Sequence, residues 1–281
     1  MNNAKVWFIT GASKGLGLAL LKKLLKEGYY VAATSRSKQS LIENISEPSE
    51  KFLPLEVHLS DEASIAQAVA STLEHFRKID VLVNNAGYGQ AGTVEEVSDQ
   101  EARQNYEVNV FGLLNVLRGV LPSMRQQKSG HIFNISSVGG YVGGFSGWGV
   151  YCSTKFAVAG LTEALHADVK SLGINVTLIY PGYFRTDFLN QESMKVTAHS
   201  IADYSEARKA IDLHVNGIHQ NQPGDPEKAA EVMIALANES APPLHMFLGA
   251  DAYEMVQSKL KSVSAEVDAY KTLTISTGFD A

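Results

Sequence analysis

Tyr151 and Lys155 lie four residues apart and form the pair best suited to acid–base chemistry. On a helix this spacing places both side chains on one face, one turn apart. A tyrosine hydroxyl has a pKa near ~10 and exchanges protons poorly at neutral pH unless a nearby cation lowers that value. The Lys155 ammonium could supply this cation, so the pair predicts a tyrosine that gives or takes a proton. The alternative is a structural pair, because this spacing is frequent by chance.

Other polar positions strengthen the prediction of a reactive site. Ser136 and Ser137 follow the apolar run 131–135, so their hydroxyls are expected at the end of a buried strand, and Asn109 lies in the preceding helical pattern. No metal site is predicted, because the eight histidines lack ligand spacing and the single cysteine, Cys152, cannot form a cysteine zinc site or an internal disulfide. We interpret Cys152 as a small helix residue rather than a redox switch.

A glycine-rich stretch, TGASKGLG at Thr10 to Gly17, joins the first apolar run to the first helical pattern. Glycines allow a tight turn there and let a pyrophosphate approach the helix N-terminus, where unpaired N–H groups and the helix dipole favour an anion. The stretch therefore predicts a dinucleotide site rather than an ordinary strand-to-helix turn. The cofactor-binding residues predicted within it are Gly11, Ser13, Lys14, Gly15, Leu16 and Gly17.

The end of the second strand indicates which dinucleotide is bound. NAD sites of this kind usually have an acid there, about 20 residues after the glycines, that binds the ribose hydroxyls. This sequence has Ser35 and Arg36 instead, and no Asp or Glu between Glu27 and Glu43. Arg36 can bind a 2′-phosphate with two N–H groups, Ser35 can donate to it, and Lys14 adds a second cation. We therefore predict NADP(H); the alternative is that both cations are solvated surface charges.

Strands that alternate with helices must position these residues. This alternation implies parallel pairing through right-handed crossovers, and the apolar strands imply a sheet covered on both faces. We predict one α/β domain over residues 1–281, with a Rossmann-type doubly wound parallel sheet of about seven strands and helices on both faces. The predicted strands are 6–9, 31–33, 52–57, 80–83, 131–135, 174–180 and 244–248, and the predicted helices are 16–25, 63–76, 102–124, 151–172 and 252–263.

Two segments do not fit the alternation. The first, 184–222, follows the sixth strand, where such a sheet places its ligand crevice. It has an amphipathic pattern from Ile201 to Ile218, so we predict a helical lid over the substrate; the alternative is a surface excursion. Asp225 and Pro226 then predict the start of another helix. The second segment, 264–281, is polar and poorly patterned, and we expect a loosely ordered tail.

Composition limits the class of protein. Of the 281 residues 45% are hydrophobic and 19% charged, which excludes intrinsic disorder. The formal net charge of -6 and the lack of a basic run argue against a nucleic-acid partner. No apolar run reaches the roughly 18 residues needed to span a bilayer, and the N-terminus does not resemble a signal peptide. We expect a soluble, cytoplasmic protein that has no membrane partner.

Together these motifs resemble those of the single-domain short-chain dehydrogenase/reductase family, over roughly residues 4–190. In the family's order they are TGASKGLG, NNAG at Asn84 to Gly87, Asn109, ISS at Ile135 to Ser137, YCSTK at Tyr151 to Lys155, and PGYFRT at Pro181 to Thr186. The stretch PGYFRTDF, and an ending without the family's common glycine-rich segment, are similar to the branch of 17β-hydroxysteroid dehydrogenases. The resemblance implies a Rossmann fold and nicotinamide-dependent oxidation or reduction of a small molecule.

The resemblance also implies a role for each matching residue. Tyr151 is implied to exchange the proton with the substrate oxygen, Lys155 to lower the tyrosine pKa and bind the nicotinamide ribose, and Ser137 to hold the carbonyl. Asn109 is implied to hold a water at a helix distortion, and Thr186 to anchor the nicotinamide carboxamide. Further cofactor contacts are implied for Asn85, Ala86, Gly87, Pro181 and Gly182. Family members commonly pair their two long helices, which implies a homodimer or homotetramer.

Two departures from the family pattern concern the walls of the site. One extra residue lies between Ser137 and Tyr151, within the glycine-rich loop 139–144. His58 stands where an aspartate often contacts adenine, and we interpret it as a surface residue. The aromatic candidates for lining the pocket are Tyr141, Phe145 and Trp148, although such residues also serve to pack glycine-rich loops.

The function that these features favour is an NADPH-dependent carbonyl reductase, reversible as an alcohol dehydrogenase. One alternative is a reductase of 3-oxo esters bound to an acyl carrier, against which the acidic net charge argues. The other is a non-catalytic protein that senses NADP, which would not need the complete set of reactive residues. The sequence does not identify the substrate, because loop shape sets the specificity of a pocket.

Overall fold

Seven parallel strands form one continuous sheet in the computed structural model, which describes residues 4–45, 49–190, 193–218 and 221–279. These strands are β1 (Val6–Ile9), β2 (Tyr30–Ser35), β3 (Phe52–Glu56), β4 (Val81–Asn84), β6 (Gly130–Ile135), β7 (Ile174–Pro181) and β9 (His245–Leu248). Their order is β3-β2-β1-β4-β6-β7-β9, which confirms the predicted doubly wound sheet. Two short strands, β5 (Gly89–Ala91) and β8 (Met194–Val196), form a separate parallel pair that the sequence analysis did not predict.

Helices pack on both faces of the sheet, and β1 shows why its sequence is apolar throughout. Trp7 and Ile9 lie in one hydrophobic layer, with residues of the helices 15–26 and 226–237, whereas Phe8 lies in the opposite layer, with residues of the helices 62–76, 112–127 and 149–169. No helix in the described residues has the length and apolar character needed to cross a bilayer. The helices are α1 (Gly15–Lys26), α2 (Lys38–Asn44), α3 (Glu62–Phe76), α4 (Asp99–Tyr106), α5 (Gly112–Gln127), α6 (Gly149–Val169), α7 (Ser205–Asp212), α8 (Pro226–Ala237), α9 (Ala250–Ala269) and α10 (Lys271–Ile275).

The predicted helix 102–124 is longer than expected and is interrupted. It begins at Asp99, because Ser98 and Glu101 form a capping box that satisfies the first backbone N–H groups. A π-helical turn, Glu107–Phe111, then separates α4 from α5. Helix α8 starts as predicted, with Asp225 as its N-cap and Pro226 at its first position.

The segment 184–222 differs from the single amphipathic helix predicted for 201–218. It contains a 3₁₀ turn (Ala202–Tyr204), then α7, then a π-helical turn (Leu213–Ile218). The apolar period is nevertheless real, since Ala207 and Ile211 are buried. The wider last turn holds His214, whose Nδ1 lies 2.7 Å from the Ala210 carbonyl and whose Nε2 lies 2.8 Å from the Tyr183 hydroxyl.

The expectation of a loosely ordered tail from Ser264 is corrected by the structure. Helix α9 was predicted to end at Val263 but continues to Ala269, and α10 follows after Tyr270. The apolar residues 260, 263 and 267 recur at helical spacing, which the sequence analysis did not extend past Val263. The final two positions, 280 and 281, lie outside the described residues.

Candidate active site

A cavity of about 520 Å³ opens where the strands of the sheet end. Segments that follow β1, β2, β4, β6 and β7 line it, which is the carboxyl edge of a parallel sheet, where such folds place their ligand. Of the predicted site residues, the cavity is lined by Gly11, Ser13, Lys14, Gly15, Leu16, Ser35, Arg36, Asn85, Ala86, Gly87, Ser137, Tyr151, Lys155, Pro181, Gly182 and Thr186. The two exceptions are Gly17 and Asn109, which lie behind the wall.

The glycine turn is fixed to the segment that follows β4. The Thr10 hydroxyl accepts hydrogen bonds from the backbone N–H groups of Asn85 (3.0 Å) and Ala86 (3.1 Å), and the Asn85 side chain donates to the Thr10 and Gly11 carbonyls. A Cβ on Gly11 would lie 2.8 Å from the Ala86 Cα, and φ there is +65°. A Cβ on Gly17 would lie 2.5 Å from the Asn85 amide nitrogen. Gly17 therefore allows helix α1 to pack closely against the Asn85 side chain, and it does not line the cavity.

The turn fits the pyrophosphate of a dinucleotide. At Gly15, where φ is +60°, a Cβ would meet nothing closer than Thr186 at 3.8 Å, so the backbone is open toward the cavity. Helix α1 starts at this glycine with no side-chain cap and no acid in its first turn. A helix N-terminus with uncapped N–H groups facing a cavity is a suitable site for an anion.

Two predicted residues at the end of β2, Ser35 and Arg36, line the same cavity. Arg36 is exposed and has no ion-pair partner among the described residues. The Ser35 hydroxyl lies 3.3 Å from that of Ser40, which fixes it at the start of α2. Among the described residues two acids line the cavity, Glu107 and Asp187, and neither belongs to β2 or the loop after it. This end of the cavity is thus open to an additional phosphate.

The end of the cavity beside β2 and β3 includes residues that were not predicted to bind the cofactor. Val57, His58, Leu59 and Ser60, which follow β3, all line it. The His58 side chain is 59% exposed and only 4.0 Å from a Glu56 carboxylate oxygen. His58 is therefore both a surface residue, as interpreted, and part of the cavity rim.

Ser137, Tyr151 and Lys155 meet in the opposite wall. Tyr151 and Lys155 lie on α6, both buried, with the lysine nitrogen 5.9 Å from the centre of the tyrosine ring and 3.0 Å from the Ile135 carbonyl, to which it donates. The Ser137 side chain lies beside Tyr151, where it opposes the larger effect of burial on the pKa of the tyrosine. Ser136 instead donates to the Lys155 backbone carbonyl at 2.9 Å, so it supports the helix, and Ser137 is the serine that reaches the reactive tyrosine.

Burial shifts the pKa of both reactive groups on α6 toward their neutral forms. Loss of water raises the pKa of Tyr151 well above its ordinary value, and the nearby Ser137 side chain only partly opposes this. The same effect lowers the pKa of Lys155 from 10.5 to about 8. At neutral pH the tyrosine therefore keeps its proton, and Lys155 is mostly protonated although it is buried.

Asn109 lies in the π-helical turn between α4 and α5. Its amide oxygen accepts from the Tyr88 N–H (3.0 Å), and its amide nitrogen donates to the Tyr88 carbonyl (2.9 Å) and to Thr154 (3.1 Å). A Cβ on Gly87 would lie 3.0 Å from the Asn109 oxygen and 3.5 Å from the Lys155 nitrogen. Asn109 thus holds the segment after β4 against α6, next to Lys155.

The other half of the cavity is largely aromatic. Phe145 and Trp148 line it as anticipated, with Trp148 6.0 Å from the Tyr151 ring, whereas Tyr141 packs in the core against Tyr180. Phe188, in the segment 184–222, also lines this half, and its ring lies 5.9 Å from that of Tyr151. Residues of this half that were not predicted to line the cavity are Tyr88, Tyr183, Lys195, His214 and Gln222.

The buried ammonium of Lys155 makes stability depend on pH in a way that Lys155→Met should abolish. Between pH 8 and 10.5 the unfolded chain keeps this proton and the folded one releases it, so the free energy of unfolding rises with pH in that window. We expect the wild type to gain about 2–3 kcal/mol over Lys155→Met across it. Urea unfolding at a series of pH values measures the difference. The exposed substitution Lys22→Met should follow the wild type, and parallel curves for all three proteins would contradict the assignment.

The fold and the site together define a class of protein. The family model of the short chain dehydrogenases matches residues 5–197, and the chain belongs to that family of oxidoreductases. An oxidoreductase of Botryotinia fuckeliana, BOA17, is 35% identical over 274 residues, which cover 97% of this chain and 99% of the relative. These findings confirm the family resemblance; the branch within the family stays a prediction.

Solved structures agree with this assignment. A short-chain dehydrogenase from Streptomyces avermitilis is 33% identical and superposes with a TM-score of 0.91, covering 99% of this chain and 100% of that one. A short chain dehydrogenase from Burkholderia cenocepacia in complex with NADP is 25% identical with a TM-score of 0.73, covering 95% and 97%. Other similar structures hold NADH or NAD. Nicotinamide dinucleotides are therefore the cofactors of similar proteins, in both forms.

Proposed function

We propose that the protein is an NADP(H)-dependent oxidoreductase that reduces a ketone or aldehyde to an alcohol, reversibly. One observation carries the proposal: Ser137, Tyr151 and Lys155 form one wall of a cavity whose other end is the glycine turn with Arg36. A dinucleotide laid along this cavity extends from a cationic end to a buried proton donor. Its nicotinamide supplies or accepts the hydride, and the protein supplies placement and electrostatics.

Each residue on this wall has a separate role in proton transfer. The Tyr151 hydroxyl gives its proton to the carbonyl oxygen as negative charge develops there, and Ser137 donates a hydrogen bond to the same oxygen. The phenolate left behind faces the Lys155 ammonium, which stabilises it in a water-poor site. Burial alone would make this phenolate costly, since it raises the tyrosine pKa, so the cation is required for the step to be fast. In oxidation the same groups act in reverse.

The remaining site residues hold the cofactor. The N-terminus of α1 and the glycine turn bind the pyrophosphate, and Arg36 binds the 2′-phosphate together with Ser35 and Lys14. Asn85, Ala86 and Gly87 lie along the cofactor, Lys155 reaches the nicotinamide ribose, and Thr186 anchors the carboxamide. Asn109 acts through Tyr88 and Gly87 by holding that stretch of wall in place.

The aromatic half of the cavity favours an apolar substrate. Phe145, Trp148, Phe188 and Leu189 surround the approach to Tyr151, and none of them offers a charge. A hydrophobic ketone buries apolar surface there, whereas a small polar one gains little. A panel of ketones of increasing apolar size tests this: NADPH oxidation should show falling Michaelis constants along the series. Failure of every carbonyl compound to oxidise NADPH, and of every alcohol to reduce NADP, would overturn the proposed function itself.

Segment 184–222 is proposed to be the lid of this substrate half. Its strand β8 pairs with β5, and the Gly89 N–H donates to the Ser193 carbonyl at 2.9 Å. Near its far end, Gly224 forms an isolated bridge with Phe184. Between these attachments the lid presents Phe188, Leu189 and His214 to the cavity. A lid that is attached to the rest of the protein at both ends can exclude water from the reacting atoms when it closes.

Limited proteolysis should report closure of the lid. Trypsin cleavage at Lys195, Arg208 and Lys209 should slow when NADP and a substrate analogue are added together, because both ligands contact the lid. Cleavage at Lys128 and Lys170, which are exposed and lie outside the cavity, provides the internal control and should not change. Equal rates at all sites with and without ligands would show that the segment is only a surface excursion.

A further inference from the structure

The C-terminal helix leaves the body of the protein halfway along its length. Ala252 and Val256, in its first two turns, are buried against the body. Beyond them every described residue, 257–279, is exposed. We call residues 257–275 the C-terminal arm; its α9 portion alone projects by roughly 20 Å at 1.5 Å per residue.

The arm has little to stabilise it as an isolated helix. Helices shorter than ~12–15 residues are marginal in water, and most helical stability in proteins comes from packing of an apolar face. No salt bridge lies within the described part of the arm, and Ser262 with Glu266 forms its only side-chain pair. A helix with so little internal support is expected to pack against another surface.

The apolar residues of the arm lie on one face and at the spacing of a coiled-coil seam. Leu260, Val263, Val267 and Tyr270 follow one another at steps of three, four and three, with exposed fractions of 47%, 39%, 59% and 62%. The same spacing extends toward the N-terminus of the helix, through Val256 to Tyr253. The helix face that includes the buried Val256 is therefore exposed in the C-terminal arm. Alternating steps of three and four specify a second helix as the partner.

We propose that the arm packs antiparallel against the same arm of a second copy of this chain. We call the apolar residues of this face the stripe. They are Tyr253, Val256, Leu260, Val263, Val267 and Tyr270, and their order is nearly the same when it is reversed. An antiparallel pairing centred between Leu260 and Val263 therefore sets Leu260 against the partner's Val263, and Val263 against the partner's Leu260, beyond the part of the helix that packs on the body.

The charges beside the seam favour the antiparallel orientation. Lys259 and Glu266 occupy equivalent flanking positions, seven residues apart, and antiparallel helices bring such positions together. Each Lys259 then faces the partner's Glu266, twice per pair of chains, while the other flank has only Gln257 and Ser264. A parallel pairing would place Glu266 near the partner's Lys271 and leave Lys259 without an opposite charge.

Light scattering coupled to size-exclusion chromatography tests whether the stripe is an interface. The double variant Val263→Asp/Val267→Asp should halve the mass of the assembly, because it puts charge into the seam. The matched control Ser258→Asp/Ala265→Asp adds the same charge on the opposite face and should keep the wild-type mass. All four positions are exposed in a single chain, so circular dichroism and NADPH binding should show an intact fold in both variants.

Charge reversal tests the orientation. Lys259→Glu and Glu266→Lys should each raise the dissociation constant of the assembly by about tenfold, since each creates two like-charge contacts. The double reversal should restore it to within about twofold of the wild type. In the parallel arrangement Lys259→Glu would have no effect, which would overturn the proposal.

Other occupants of the stripe would give other results. A wild type that is a single copy at micromolar concentration, or a seam variant of unchanged mass, overturns the proposal. If the single copy instead co-sediments with vesicles of phosphatidylcholine and phosphatidylglycerol, the stripe is a lipid contact. None of these outcomes depends on turnover, so the interface and the proposed catalytic function can fail separately.

Discussion

Tyr151→Phe should lower kcat for carbonyl reduction by about 10²–10⁴-fold while leaving the dissociation constant of NADPH close to that of the wild type. The substitution removes one hydroxyl and keeps the ring that packs against Trp148 and Phe188, so the shape of the cavity is preserved. Only the proton donor is lost. Steady-state rates measure the first quantity, and quenching of protein fluorescence on titration with NADPH measures the second.

Tyr180→Phe is the matched control for this experiment. Tyr180 is also buried, but it packs in the core against Phe247 and does not line the cavity. Losing its hydroxyl should change kcat little. A Tyr151→Phe protein with near-normal kcat would contradict the assignment of the proton donor, whereas equal losses in both variants would point to a structural effect of removing a buried hydroxyl.

Arg36→Asp should reverse the cofactor preference. In the wild type, kcat/KM with NADPH should exceed that with NADH, because Arg36 faces the end of the cavity that would hold the 2′-phosphate. An aspartate there repels the phosphate and can accept from the ribose hydroxyls of NADH. We expect the ratio of the two kcat/KM values to change by at least about 10- to 100-fold.

Lys38→Asp provides the control, because it makes the same change of charge at a nearby exposed position that does not line the cavity. It should alter the ratio far less than Arg36→Asp does. A wild type that uses NADH as efficiently as NADPH would refute the interpretation of the end of β2. Equal effects of the two substitutions would show that overall charge, rather than contact by Arg36, sets the preference.

Much of the fold could be predicted because local pattern and topology agree. The runs at β1 and β4 are almost wholly apolar on both faces, which in a chain of alternating strands and helices permits little besides a covered parallel sheet. Asp225 with Pro226 marked a helix start that depends only on local capping. The site followed from the same logic, since chemistry in such a sheet gathers at the ends of its strands.

What sequence reasoning missed depends on contacts between distant segments. Gly89–Ala91 and Met194–Val196 are too short to read as strands, and each is a strand only because the other lies beside it. Gly17 was predicted to touch the cofactor, but its lack of a Cβ serves the Asn85 amide, 68 positions further along the chain. The π-helical turn at Asn109 was expected only from the family resemblance, as a helix distortion, because no local sequence pattern sets it apart from an ordinary turn.

In the segment 184–222 the sequence pattern predicted one feature correctly and missed another. Its apolar period correctly predicted that Ala207 and Ile211 are buried, but not that the helix breaks into three pieces. His214 lines the cavity and forms a hydrogen bond with Tyr183, a contact that no spacing in the sequence predicts. The proposed lid therefore lies in the part of the chain that is least readable from sequence.

Transfer of deuterium tests the central claim most directly. A ketone from the apolar panel is incubated with the wild type and NADPH that carries deuterium at the transferable position of the nicotinamide ring, and the product is analysed by mass spectrometry and NMR. The account predicts one alcohol formed per NADPH oxidised, with the deuterium on its carbinol carbon and the hydroxyl proton derived from solvent through Tyr151. NADPH that binds saturably but yields no labelled alcohol from any carbonyl compound would contradict it.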